Sequence, residues 1–202
     1  DTMVATISAQ GGDVVRVELL QHKQSDDHTK NFVVLQDDGA HFYVANSGFT
    51  GDGLPNHKTL FDLKAGEYTL ADGQNQLQVR MNAPVVNGLA VTKVLTFKRD
   101  SYLIDVSYEI SNAGSAALNT TAYFQLVRDD KAPSGDPKTV SVFTGPAFYT
   151  DGQKFQKIKF GDIADGSAKF EKSADNGWVA MIQHYFVTAF LPANGTPREF
   201  YT

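Results

Sequence analysis

Gly177-Trp178-Val179-Ala180-Met181-Ile182-Gln183-His184-Tyr185-Phe186-Val187-Thr188-Ala189-Phe190-Leu191-Pro192 concentrates apolar and aromatic mass as no other segment of the chain does. It holds the only tryptophan, and only Gln183, His184 and Thr188 are clearly polar. A segment of this kind needs other elements packed against it. Two conformations compete. As a helix, the three polar residues fall roughly on one side and leave a wide apolar face. As strands, Trp178, Ala180 and Ile182 share one face and Val179 and Met181 the other, with both faces expected in the interior. β-Branched and aromatic enrichment decides for strand, as do the bounding Gly177 and Pro192. The spacing predicts strands at 178–183 and 185–191 with a bend at His184. The run is too short for a membrane span, which needs about 18–20 unbroken apolar residues.

Period-two alternation recurs along the rest of the chain. Thr2–Ala9 and Val14–Leu20 flank Gly11-Gly12-Asp13, which predicts a hairpin turn and not a phosphate loop. Residues 21–30 are polar and read as a solvated loop. Phe32–Leu35 and His41–Ala45 read as short strands around Asp37-Asp38-Gly39. Residues 46–58 hold three glycines, a proline and two asparagines, and predict a long irregular loop. Such loops often carry binding function.

Gln76–Met81 and Leu89–Lys98 are expected strands, the second with Leu89, Val91, Lys93, Leu95 and Phe97 on one face. Tyr102–Ile110 sets Tyr102, Ile104, Val106, Tyr108 and Ile110 against Asp105, Ser107 and Glu109, the pattern of a half-buried antiparallel strand. Ala117–Val127 follows as a strand and 128–139 as a polar loop. Val140–Phe148 and Lys154–Phe160 are expected strands around Thr150-Asp151-Gly152. Gly161–Gly166 suits one helical turn, and Ala168–Glu171 a short strand. Close turn spacing and the lack of a convincing amphipathic helix predict an all-β fold, a sandwich of antiparallel sheets. No linker divides it, so 1–202 is expected to be a single domain.

Composition narrows the function classes. The formal net charge is −5 and the charges are scattered, which argues against nucleic acid as a partner. With no cysteine there is no disulfide framework, thiol nucleophile or thiolate metal site. His22, His28, His41, His57 and His184 fall in no His-x-His or His-Glu-x-x-His pattern, so no metal site is expected. His22, His28 and His57 read as solvated loop residues, and His184 as structural. Asp26-Asp27, Asp37-Asp38 and Asp129-Asp130 lack the regular ligand spacing of a calcium loop and read as turn chemistry. Neither a nucleophile elbow nor a dinucleotide fingerprint is present. No catalytic residue and no cofactor are therefore expected. Aromatic rings do stack on sugar faces. Phe148, Tyr149 and Phe155 lie near a turn and are the exposed candidates, whereas Trp178, Tyr185 and Phe186 are assigned to the core.

Several short pieces in fixed order resemble a known family. They are Gly11-Gly12-Asp13-Val14, Gly73–Val79, Leu95-Thr96-Phe97-Lys98-Arg99 before Tyr102, and Asn112-Ala113-Gly114. Phe155–Phe160 with Ile163-Ala164-Asp165 continues the series, followed by Gly177–Met181, Tyr185-Phe186, Thr188-Ala189 and Phe200-Tyr201-Thr202. Together they resemble the large periplasmic domain of the YidC-type bacterial inner-membrane insertases. The sequence departs from that pattern mainly in loops 21–30, 46–58 and 128–139.

The resemblance implies a β-supersandwich similar to galactose mutarotase-like domains. It also implies a place on the periplasmic face of the inner membrane and a non-catalytic accessory role. The insertase would insert and fold inner-membrane proteins alone or with the Sec translocon. Its transmembrane bundle, which carries insertion, is outside this sequence. Implied partners are SecD–SecF, the Sec translocon and nascent membrane proteins. The resemblance further suggests strands beyond Thr202, so the domain is expected to be truncated there. Phe148, Tyr149, Phe155, Lys157 and Lys159 form the candidate partner edge, chosen for their aromatics and lysines. A carbohydrate- or peptide-binding module, with a glycan or peptide in a groove, is the alternative reading.

Overall fold

The computed structural model describes residues 1–115, 117–133 and 142–202. The fold is of the all-β sandwich class expected from the alternation, with several antiparallel sheets and one short helix among the described residues. The chain divides into two compact units, Asp1–Val127 and Arg128–Thr202.

In the first unit, β1 (Met3–Ile7) and β2 (Val14–Lys23) form the expected hairpin. β3 (Asn31–Asp37) and β4 (Phe42–Phe49) follow, and β8 (Ala122–Arg128) completes the sheet order β1-β2-β3-β4-β8. β5 (Gln76–Asn82), β6 (Leu89–Lys98) and β7 (Ile104–Asn112) make a second, three-stranded sheet. Inward side chains of the two sheets meet. The Phe49 ring lies 4.7 Å from that of Tyr108, edge to face. Val79, Met81 and Leu95 are among the largest fully buried side chains.

Boundaries in this unit move at several strands, and β7 begins at Ile104, which leaves Tyr102 outside it. β2 runs on to Lys23, which pairs with Asn31, so His22 is a strand residue and the loop begins at Gln24. β4 runs on to Phe49, through residues read as loop. Gly48 belongs there because a side chain would not fit, since an added Cβ would lie 2.6 Å from the Asn56 Cα and 2.9 Å from the Tyr123 hydroxyl. Residues 117–121 are irregular, and the last strand of the unit starts only at Ala122.

The second unit is built on a four-stranded sheet of order β10-β9-β12-β13. Its strands are β9 (Gly145–Thr150), β10 (Lys154–Lys157), β12 (Trp178–Gln183) and β13 (Phe186–Phe190). The opening segment is thus a pair of antiparallel strands bent at His184, as its spacing predicts. α1 (Phe160–Ala164) is the expected helical turn. β11 (Ser173–Ala174) pairs with β14 (Arg198–Glu199). Buried Phe148, Ile158, Phe170 and Phe200 form the core, with Ile163, Ala168, Ala174 and Val179 packed on it.

The expected strand 168–171 is absent, and Ala168 and Phe170 reach the core from irregular backbone. The start of the expected strand at Val140, and residues 134–139 of the preceding loop, lie outside the described residues. Full burial of the opening segment is also corrected. Tyr185 is 76% exposed and Val187 61%, because one sits in the turn and the other on an outer strand of the sheet. Trp178 and Phe186 are only half-buried.

Candidate functional site

β9 lies between β10 and β12, with Tyr149 paired to Phe155 on one side and to Trp178 on the other. Directly opposed residues on neighbouring strands project from the same face. Phe155, Tyr149 and Trp178 therefore form one aromatic row across three strands. The Tyr149 and Trp178 rings stack at 5.7 Å with their planes 11° apart, and Phe155 tilts against Trp178 at 6.0 Å. Strand alternation sends the next residue, Phe148, to the other face. There it is 5% exposed and stacks on Phe170 at 4.6 Å. Phe148 is thus a core residue, which removes it from the candidate edge.

The other four edge candidates stay at the surface. Tyr149 is half-buried, and Phe155, Lys157 and Lys159 are exposed. Phe155 and Lys157 lie on β10, an outer strand of the sheet. The Lys157 ammonium stands 4.9 Å from the Phe143 ring, and Lys159 immediately precedes α1.

A pocket opens beside the aromatic row. Tyr149, Trp178 and Leu191 supply apolar surface, while Asp151, Asn176 and Asn194 supply polar groups. Its walls are stitched together by hydrogen bonds. The Asp151 backbone N–H donates to the Asn176 Oδ1 at 2.7 Å, and the Gly195 N–H to the Asp175 carbonyl at 2.7 Å. Arg198 spreads its guanidinium over the loop carbonyls, donating to Asp175 and Thr196 at 3.2 Å each. It donates also to Gly177 at 3.2 Å, to Pro192 at 3.4 Å and to Ala193. Gly177 is required where the loop meets β9. Its φ is +92°, and an added Cβ would lie 2.0 Å from the Tyr149 carbonyl oxygen.

The pocket's polar residues were not singled out in the sequence. Asp151 reads there as a turn residue. Asn176 and Asn194 lie just outside the two ends of the greasy segment, and that bracketing is the one signal that could have marked them.

A second polar cluster lies inside the first unit and is fully interior. The Lys93 Nζ donates to the Asp13 Oδ1 at 2.7 Å and to the Gly11 carbonyl at 2.9 Å, with both side chains 2% exposed. Asp13 also accepts from the Asn46 Nδ2 at 2.7 Å and the Ser47 N–H at 3.2 Å. Burial pushes the Lys93 ammonium below its usual range, against the pull of the Asp13 carboxylate. The Tyr108 hydroxyl, 2.7 Å from the Ser47 Oγ, is held above its usual range chiefly by burial. Every charge here is already paired and closed off from solvent. The cluster joins the Gly11–Asp13 turn to β6, and its role is structural.

The histidines scatter. His22 lies against the Tyr102 ring at 6.0 Å. His57 is half-buried, not solvated, with its Nδ1 2.5 Å from the Tyr123 hydroxyl. Among the described residues no three His, Asp or Glu side chains gather as metal ligands, and no helix is long and apolar enough to cross a membrane.

The family model of the YidC periplasmic domain matches residues 1–202. This chain belongs to the YidC periplasmic domain family. Among its relatives is the membrane protein insertase YidC of Aromatoleum aromaticum, 55% identical over 202 residues, or 100% of this chain and 37% of that protein. The YidC of Dechloromonas aromatica is 53% identical over 201 residues, covering 100% of this chain and 36% of that protein. The YidC of Nitrosospira multiformis is 47% identical over 201 residues, covering 100% of this chain and 35% of that protein. The chain thus spans little more than a third of the length of these YidC proteins.

Proposed function

We propose that the chain is a non-catalytic accessory domain of an inner-membrane protein insertase, standing on the periplasmic face of the membrane. The observation that carries this reading is the family match across every residue from 1 to 202. In this reading residues 1–202 act as a single domain. Its contact edge is β10 with the adjoining aromatic row, presenting Tyr149, Phe155, Lys157 and Lys159. Its partners are SecD–SecF and the Sec translocon, and the insertase's substrates are nascent membrane proteins. An outer strand supports such a role because it offers backbone hydrogen-bonding groups that a partner segment can pair with. Exposed lysines beside it favour an acidic partner surface.

The test uses the full-length insertase. A photo-crosslinking residue at Phe155 or Lys157 is expected to give adducts with a Sec subunit or a nascent chain. Adducts with neither, from a protein that still inserts its substrates, remove the edge. Deleting the domain is expected to leave most insertion intact. Loss as complete as that on deleting the transmembrane bundle overturns the accessory role.

A further inference from the structure

We propose that the Tyr149–Trp178 pocket is a binding subsite for a neutral hexopyranose, one ring of a saccharide. Three features of the second unit combine. The first is aromatic surface, the stacked Tyr149 and Trp178 rings with Leu191 beside them. Ring faces carry negative quadrupole charge and attract the slightly positive C–H groups on the face of a pyranose.

The second is a set of polar groups on the same wall. The Asp151 carboxylate can accept from a pair of hydroxyls, and Asn194 can both donate and accept. Apolar lining with a few convergent polar groups is the usual make-up of a small-molecule site.

The third is rigidity. Arg198 ties Asp175, Gly177, Pro192, Ala193 and Thr196 together through their carbonyls, so the backbone of the loops carrying Asn176 and Asn194 is fixed before any ligand arrives, and the Asp151 N–H is anchored on Asn176. A preformed wall lowers the ordering cost of binding.

Charge decides for a neutral ligand. Lys157 on β10, the strand paired with β9, shares the face of Phe155 and opposes a cation over the rings. Asp151 in the wall, with Asp175 beside it in sequence to Asn176, opposes an anion. The subsite is separate from the insertase reading, because it concerns a small ligand and is tested on the 202-residue chain alone.

Trp178 is the only tryptophan, so selectively excited tryptophan emission reports on this pocket. Titration with cellobiose is expected to give a saturable emission change, with half-saturation on the order of 1–10 mM. Tetramethylammonium is expected to give none. Asp151→Asn keeps the backbone N–H to Asn176 and is expected to weaken cellobiose at least about fivefold with thermal stability unchanged. Asn194→Ser tests the opposite wall in the same way. Saturation by tetramethylammonium, or an unchanged signal at 100 mM cellobiose, overturns the proposal. So does cellobiose binding of full strength in both variants, which places the sugar elsewhere.

Discussion

Lys93 shares a strand face with Leu89, Val91 and Leu95, so its alternation already places a charge toward the interior. What the alternation does not contain is the partner, because Asp13 lies 80 residues away on a turn. Removing one member of a buried pair leaves the other charged and uncompensated. Lys93→Met is therefore expected to cost about 3–5 kcal/mol by denaturant unfolding. Adding Asp13→Asn is expected to recover part of that loss, since the remaining group is then neutral and still faces Asn46. Full additivity of the two changes would show that the pair is not coupled. A surface carboxylate behaves differently. The Thr29 hydroxyl first, then Lys30 and the Thr29 N–H, hold Asp27 down at about 2, against an ordinary value of 3.8. Its folded value lies below its unfolded one, so its contribution is fully present above the ordinary carboxylate range and is lost as pH falls through about 2. Thr29→Val removes the largest cause. The Asp27 carboxyl midpoint, followed by carbon NMR, is expected to rise toward the ordinary value, and an unmoved midpoint would assign the shift to Lys30 and the backbone N–H of residue 29.

At the scale of elements, Phe148 and Phe155 look equivalent in the sequence, two aromatics flanking one turn. Register separates them. Phe148 is sent into the core with Phe170 and Phe200, and Phe155 joins the exposed row. Phe148→Ala is expected to cost about 3–5 kcal/mol, the range for emptying a core aromatic site. Phe155→Ala is expected to cost under about 1 kcal/mol, as surface changes do. Similar losses for the two would contradict the register. The strands themselves were legible because alternation is a local property. The hairpins at Gly11–Asp13 and around His184 and the β5–β6–β7 meander follow from it, whereas the helical turn expected at 161–166 begins at Phe160, a residue the alternation assigned to the preceding strand. Long-range demands were not legible. Gly48 sits in a strand to admit Asn56 and Tyr123, and Val187 is exposed because its strand lies on the outside of its sheet. Neither fact is written near the residue concerned. Of the site, the aromatics were legible by type and the polar wall was not, since loops 175–177 and 192–196 meet only in the folded chain, through Arg198 and the bond from the Gly195 N–H to the Asp175 carbonyl.

The whole chain poses a question of cooperativity. It forms two compact units that divide between Val127 and Arg128, yet β8 runs from Ala122 to Arg128 across that division. A strand cannot melt on one side of a peptide bond and stay ordered on the other without losing its end. The family model also runs unbroken over 1–202. Both points favour a single unfolding transition, the behaviour usual for one domain. The sequence provides a clean probe, because Trp178 reports only on the second unit while the buried Lys93–Asp13 pair lies in the first. If the chain unfolds as one, Lys93→Met lowers the midpoint seen by Trp178 fluorescence. The drop should be roughly 6–20 °C, from a loss of about 3–5 kcal/mol at about 2–4 °C per kcal/mol. The Trp178 midpoint should also coincide with that from circular dichroism. If the units unfold separately, Trp178 keeps its midpoint while circular dichroism shows an earlier step. That outcome would make 1–127 and 128–202 two domains, and the proposed subsite a property of the second alone.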